Sequence, residues 1–189
     1  MEQVWPTELD DSERLAWLRL ARTENLGPAT ADQLLSRYPR ASDALEALPD
    51  LVEGRRGGKR PVVPSLDTAA RELEHIRRDK AHLVVRGEAA YPPLLRQIDA
   101  APLVLTVIGD PSWLTRPSIG VVGSRNASAN GQRFAADIAG DLGRAGLTIV
   151  SGLALGIDGR AHSASLDTGT VAVLAGGANV LYPRQHKGL

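Results

Sequence analysis

One stretch limits the fold more than any other part of the chain. From residue 119 to 183 it reads IGVVGSRNASANG, then LTIVSGLALGIDGRAH, then TVAVLAGGANVLYP. Three short apolar runs, expected as strands over 119–122, 147–150 and 170–174, each end in a loop of glycine and small polar residues. Between the first two, Phe134, Ile138 and Leu142 recur at spacing four, with Ala135 and Ala139 alongside, which predicts a helix from about Gly131. Strand–loop–helix units of this kind build a parallel sheet, and its strands deliver their loops to one edge, where α/β proteins bind ligands.

Composition narrows the function classes. The 189 residues carry 22 basic and 22 acidic side chains, so any basic surface arises from placement and not from excess. Hydrophobic residues at 43% and charged residues at 23% point to a packed core. Cysteine is absent, which removes disulfides, thiolate nucleophiles and Cys-ligated zinc. With no basic start followed by an apolar h-region, and no apolar run near the ~18 residues that span a bilayer, a cytoplasmic location is expected.

The N-terminal third reads as three short helices. Asp11 or Ser12 is the expected cap of the first, which carries Leu15, Trp17, Leu18 and Leu20. Asn25-Leu26-Gly27-Pro28 breaks it. The second runs through Ala31, Leu34 and Leu35 to Tyr38, and the third starts near Ser42. The words NLGPATADQLL resemble a helix-hairpin-helix turn, which holds a DNA phosphate on backbone N–H groups, with Asn25 at its first glycine position. A helical module that packs or recruits a partner without touching DNA fits the same residues. The run EGRRGGKRP suggests a basic linker, placing a domain boundary between residues 51 and 65. We therefore expect a helical domain over 1–60 and a sheet domain over 61–189. Ser65 is the expected cap of a surface helix through Ile76, and residues 103–108 the expected first long strand.

The loops carry the candidate chemistry. Gly123-Ser124-Arg125 offers close backbone approach, a hydroxyl donor and a guanidinium fork, a phosphate-binding set; a turn glycine beside a surface arginine fits equally. Ser151 and Gly152 open the second loop, ahead of a helix N-terminus suited to an anion. Asp158 and His162 share one face of that helix, either as an acid–base or ligand pair or as a helix-start residue with a local hydrogen-bond partner. Gly176, in the third loop, is a further candidate for phosphate binding. Beyond it Tyr182 is a candidate for base stacking or an edge cap, and Arg184 and Lys187 are candidate phosphate contacts. A GxGxxG, a GxxxxGK[ST] and a G-x-S-x-G are all missing, and Ser151 stands where a dinucleotide fold places an acid. No catalytic set, metal cluster or cofactor is expected.

In order, YPPLL, GDP, VVGSR, SGLALGID-x-x-AH, AVLAGG and LYP-x-x-H-K-x-L resemble the DNA-processing protein A (DprA/Smf) family, from about Leu83 to the last residue. The resemblance implies a Rossmann-like doubly wound sheet, incomplete in this chain, preceded by a small all-α SAM or helix-hairpin-helix-like domain. It also implies a protein that is not an enzyme, binds and protects single-stranded DNA, loads RecA recombinase in natural transformation, and forms a homodimer when the sheet is complete. Carried over, Gly123-Ser124-Arg125 is the phosphate motif and Lys187 the basic position after Tyr-Pro, with Ser151 and Gly152 lining the same pocket. His186 stands where many members have Asn. Members continue beyond the equivalent of Leu189, so the chain is expected to be part of a longer protein. The competing enzyme reading is a phosphoribohydrolase on a related fold. Its PGGxGTxxE signature is replaced here by AGGANVLYP, without the glutamate.

Overall fold

A computed structural model describes residues 6, 8–53, 60–177 and 183–189, with side chains omitted at 50–53. Most of the basic run expected as a linker, and Tyr182, lie outside the described residues. The chain divides into two compact units, Met1–Pro111 and Ser112–Leu189. This division falls well after the boundary expected near residue 60, because the expected linker is followed by elements that complete the first core.

That first unit begins with α1 (Asp11–Ala21), α2 (Pro28–Arg37) and α3 (Ala41–Glu53). The cap of α1 is Asp10, one residue before the expected positions, and its carboxylate accepts from the Glu13 N–H. Helix α3 is started from a distance. Glu13, buried on α1, reaches across to accept from the N–H of Ala41 (2.5 Å) and the hydroxyl of Ser42 (2.8 Å). A carboxylate at a helix N-terminus is favoured by the free N–H groups and the helix dipole. Asn25 takes the left-handed backbone its position calls for (φ 61°). Its neighbour Glu24 forms a two-bond bridge with Val62, so the helical hairpin turn is paired to the segment after the expected linker.

Helix α4 (Leu66–Arg78) starts at Ser65 as expected, and Leu73 and Ile76 join Leu18, Leu20, Leu34 and Leu48 in one core. Strands β1 (Ala81–Val85) and β2 (Val104–Ile108) form an antiparallel pair whose Leu83 and Val85 enter that core. The YPPLL words resolve into a fully buried Tyr91 and a short helix, α5 (Pro93–Arg96), with the prolines at its cap and first position, where no N–H is needed. The Tyr91 hydroxyl donates to Pro102 (2.8 Å), and burial pushes its pKa up to about 12. Glu88 ties the pieces together. Buried, it accepts from the N–H of Leu9 (3.0 Å) and Val85 (3.3 Å) and pairs with Arg14 (2.9 Å).

The second unit is the α/β layer. Strands β3 (Ser118–Gly120), β4 (Thr148–Ser151) and β5 (Thr170–Ala172) form a parallel sheet in the order β3-β4-β5. The crossovers are α6 (Ala129–Arg144) and α7 (Ile157–Ser165), which pack on each other and share a core at Ala139, Ile149 and Ala161. Strands β3 and β5 end two residues before their expected runs, where the loops take over, whereas β4 is shifted one residue onward to Ser151. Ser128 caps α6 by accepting from the Gly131 N–H. Gly140 and Gly143 are buried where α6 meets α7 and the turn after it: a Cβ on Gly143 would overlap the Thr168 hydroxyl, and one on Gly140 would approach the Ala164 carbonyl at 3.6 Å.

Candidate nucleic-acid interface

All three strands run parallel, so the loops after β3, β4 and β5 and the first turns of α6 and α7 share the carboxyl edge of the sheet. The first two loops are in direct contact. A Cβ on Gly123 would lie 2.7 Å from Ile157 Cγ1, so glycine here lets loop one close onto the first residue of α7. Gly156 has φ 78°, and a Cβ there would overlap the Ser124 carbonyl oxygen and lie 2.8 Å from that of Arg125. The Ile157 N–H donates to the Ser124 carbonyl at 3.3 Å. Both glycines thus have a packing reason of their own.

The second loop is held from inside. Ser151 is buried and its hydroxyl donates to the Val121 carbonyl (2.6 Å). Asp158, also buried, accepts on one carboxylate oxygen from the N–H of Gly152 (3.2 Å) and of Ala154 (3.3 Å). Between those donors Leu153 adopts a left-handed backbone (φ 56°), the alternation that makes a concave nest of N–H groups. The anion filling this nest is the protein's own carboxylate. His186 Nδ1 donates to the Leu153 carbonyl (3.0 Å), and its ring sits over Gly159, where a Cβ would be 2.6 Å away. Residues 184–187 are thereby anchored at the second loop.

Asp158 and His162 form no pair. His162 Nδ1 meets the Thr170 hydroxyl at 2.7 Å, and that hydroxyl donates onward to the Ile149 carbonyl at 2.8 Å, so the imidazole is the donor. Burial holds its pKa below the ordinary value, against the opposing pull of Asp158. Both side chains serve the frame. Among the described residues no cluster of three His, Asp or Glu side chains is placed to hold a metal ion, and no helix is long and apolar enough to cross a membrane.

Several of the expected site residues meet at this edge. Arg125 in loop one and Lys187 beside the His186 anchor are exposed and form no side-chain hydrogen bond or ion pair with described residues, and the same holds for Arg184. Ser124 turns its hydroxyl oxygen inward to accept from the Asn126 N–H (3.2 Å). Gly176 lies in the open, with nothing within 4 Å of a Cβ, past a β5 that ends at Ala172. The Gly152 N–H already has Asp158 as acceptor. A cleft of about 420 Å³ opens beside the loops, lined by Gln132, Gly156, Arg160, Ser163 and His186. Gln132 links its parts, donating to the Ala127 carbonyl (2.9 Å) and accepting from Arg160 Nε (3.0 Å).

The charge is polarised along the strands. Within the second unit Arg116, Arg125, Arg133, Arg144, Arg160, Arg184 and Lys187 face only Asp137, Asp141, Asp158 and Asp167. Five of the seven cations, Arg116 and Arg144 being the exceptions, stand in the edge loops or the opening turns of α6 and α7. Asp137 and Asp141 lie on the later half of α6, Asp167 follows α7, and Asp158 is buried. A neutral chain thus carries a positive edge, which attracts anions irrespective of net charge.

The fold and this edge define a class: a parallel α/β unit with an anion-attracting loop edge, preceded in sequence by a unit that opens with a helix-hairpin-helix turn. The profile of the DNA recombination-mediator protein A family matches residues 82–189, and that of the DprA-like N-terminal HHH domain matches residues 11–74. This chain belongs to the DprA/Smf family. It is 29% identical to Protein Smf of Synechocystis over 191 aligned positions, covering 95% of this chain and 48% of that protein. To a putative DNA processing protein DprA of Mycobacterium tuberculosis it is 39% identical over 140 positions, 66% of this chain and 36% of the relative. The X-ray structure of DNA processing protein A from Streptococcus pneumoniae superposes with a TM-score of 0.68 at 26% identity, over 96% of this chain and 63% of that one. The chain thus spans about half or less of the length of these curated relatives.

The family words have structural reasons that the sequence does not display. Gly156 is visible there only as the last residue of SGLALG, and Leu153 gives no sign of a left-handed backbone. His186, a departure from the family pattern, is an anchor. The signal for Asp158 is present, as an acid in the first turn of a helix after a glycine-rich loop, but spacing alone leaves its partner open.

Proposed function

We propose that the carboxyl edge of the parallel sheet binds the phosphates of single-stranded DNA, and that the complete protein protects such DNA and passes it to RecA recombinase as a homodimer. One observation carries the reading: Arg125, Arg184 and Lys187 are exposed, and unpaired among the described residues, on an edge whose acids are buried or distant. Membership of a family described as recombination mediators supports DNA as the anion.

Arg125 and Lys187 supply the charge, the open backbone at Gly176 accepts close approach of a phosphate, and Tyr182 is assigned to base stacking from its residue type alone. Ser151, Gly152 and Asp158 form the frame beneath, with their polar groups already engaged. Binding of this kind is weakly sequence-dependent and falls steeply with salt. We read the edge as a binding surface without a reaction of its own, since the acid and base nearest it, Asp158 and His162, are turned inward to structural bonds. The test is titration of labelled oligo-dT against Arg125→Ala and Lys187→Ala in the full chain. Loss of affinity in each supports the assignment; wild-type affinity in both refutes it. Release of adenine from AMP would instead indicate the phosphoribohydrolase reading.

A further inference from the structure

We propose that Asp158 is a positioning residue, a buried carboxylate that locks the second loop into a platform and thereby fixes where loop one presents Arg125. The inference rests on the reading of this edge as the DNA site.

The links are continuous. Asp158 accepts from the N–H groups on both sides of Leu153 and so holds that residue in its left-handed backbone. An alanine- or leucine-type residue disfavours this conformation unless its surroundings enforce it. Three residues on, Gly156 turns at φ 78° and sets its α-carbon against the Ser124 and Arg125 carbonyls. The next N–H, of Ile157, donates to Ser124. His186 closes the platform from outside by donating to the Leu153 carbonyl, which also fixes the position of neighbouring Lys187. Loop one, which carries Arg125, and the segment that carries Lys187 therefore both rest on this one loop, and Asp158 supplies hydrogen bonds that define its shape.

The sign of a substitution separates this role from simple electrostatics. Removing a carboxylate from beneath a phosphate-binding edge should by charge alone strengthen DNA binding, by roughly twofold for each phosphate within about 8 Å in water. Positioning gives the opposite for Asp158→Ala: the loop relaxes and affinity falls by about tenfold. Asp158→Asn keeps one oxygen able to accept from both N–H groups while losing the charge, so it should bind as well as wild type or better.

The experiment measures labelled oligo-dT affinity and amide hydrogen exchange in the full chain for wild type, Asp158→Ala, Asp158→Asn and His186→Ala. Expected are faster exchange at Gly152, Ala154 and Ile157 in Asp158→Ala, by about tenfold or more, and near-wild-type rates in Asp158→Asn. DNA binding should be weaker in Asp158→Ala and preserved in Asp158→Asn. Unchanged exchange, or Asp158→Ala binding as tightly as wild type or tighter, overturns the proposal. Should Asp158→Ala fail to fold, His186→Ala decides: it removes the other hold on Leu153 without altering a carboxylate, and must speed exchange at Gly152 and Ala154 and weaken binding. Unchanged exchange and affinity in that variant overturn the proposal equally. Arg125→Ala is run alongside. If it binds DNA like wild type, the assignment of the edge fails, while the exchange data still report whether Asp158 sets the loop.

Discussion

Replacing Gly156 by alanine tests the contact between the first two loops, and Gly146 provides the matched control. Both glycines have positive φ, 78° and 91°. A Cβ at Gly146 would meet nothing within 4 Å, whereas one at Gly156 would overlap the Ser124 carbonyl oxygen and lie 2.8 Å from that of Arg125. Gly146→Ala therefore carries backbone strain alone, about 1–2 kcal/mol. Gly156 combines φ 78° with ψ −121°, a region essentially reserved for glycine, which costs about 1–3 kcal/mol. It must also displace backbone, which has no rotamer with which to give way, so the total is about 3 kcal/mol or more. For a unit of this size each kilocalorie lowers the melting temperature by roughly 4–8 °C. Thermal unfolding followed by circular dichroism should show Gly156→Ala shifted about twice as far as Gly146→Ala, or more. Oligo-dT affinity should fall by about tenfold in Gly156→Ala only, equivalent to roughly 1.4 kcal/mol. Equal melting shifts, or equal DNA affinities in the two variants, would refute the loop-on-loop geometry.

Other consequences are open to direct measurement. Glu88→Ala leaves Arg14 and two buried N–H groups without their carboxylate, and should cost about 3–5 kcal/mol in urea unfolding of the first unit; a loss under about 1 kcal/mol would contradict the network. His162 has a folded pKa depressed by burial, so above its unfolded value of about 6.5 both states are neutral and its contribution is fully present. As pH falls below that value the unfolded chain takes up the proton first, and stability is lost toward the lower folded pKa. His162→Asn should flatten the decline in urea midpoint between pH 7 and pH 5 relative to wild type, and an identical slope would exclude the imidazole as its source. Gly143→Ala should destabilise the second unit through the clash with Thr168, and Thr168→Ala should restore part of the stability because it removes the overlapping hydroxyl; no rescue would place the strain elsewhere.

What is legible in the sequence is whatever rests on local periodicity. The three-strand, two-helix order follows from apolar runs and spacing, and Ser65 is readable as a cap because capping is a short-range hydrogen bond. Interactions between distant segments are not legible. Glu13 looks like an ordinary first-turn acid of α1, yet it starts α3 across 28 residues of sequence. Glu88 sits in a loop-like RGEAAYPP and proves to be a buried hub that ties β1 to α1, while α4 joins the same unit through Ala69, Leu73 and Ile76. At the loop edge, the exposure of Arg125 and Lys187 is readable because each lies among glycine and polar residues, outside any apolar run. The donors of the second loop look free in the sequence and are not. Their acceptor, Asp158, lies only four to six residues away, but the left-handed turn at Leu153 that aims both N–H groups at it has no signature in a non-glycine residue.

The basic edge is proposed to hold the backbone of single-stranded DNA. This is tested most directly by titrating labelled oligo-dT and a duplex of equal length with the full chain, wild type and Arg125→Ala/Lys187→Ala, across a series of salt concentrations. Expected are preference for the single strand, a steep fall of affinity with salt, and a shallower slope in the double variant, by about 0.7 for each phosphate no longer neutralised. A wild-type salt slope and affinity in the double variant, or a preference for duplex, would contradict it.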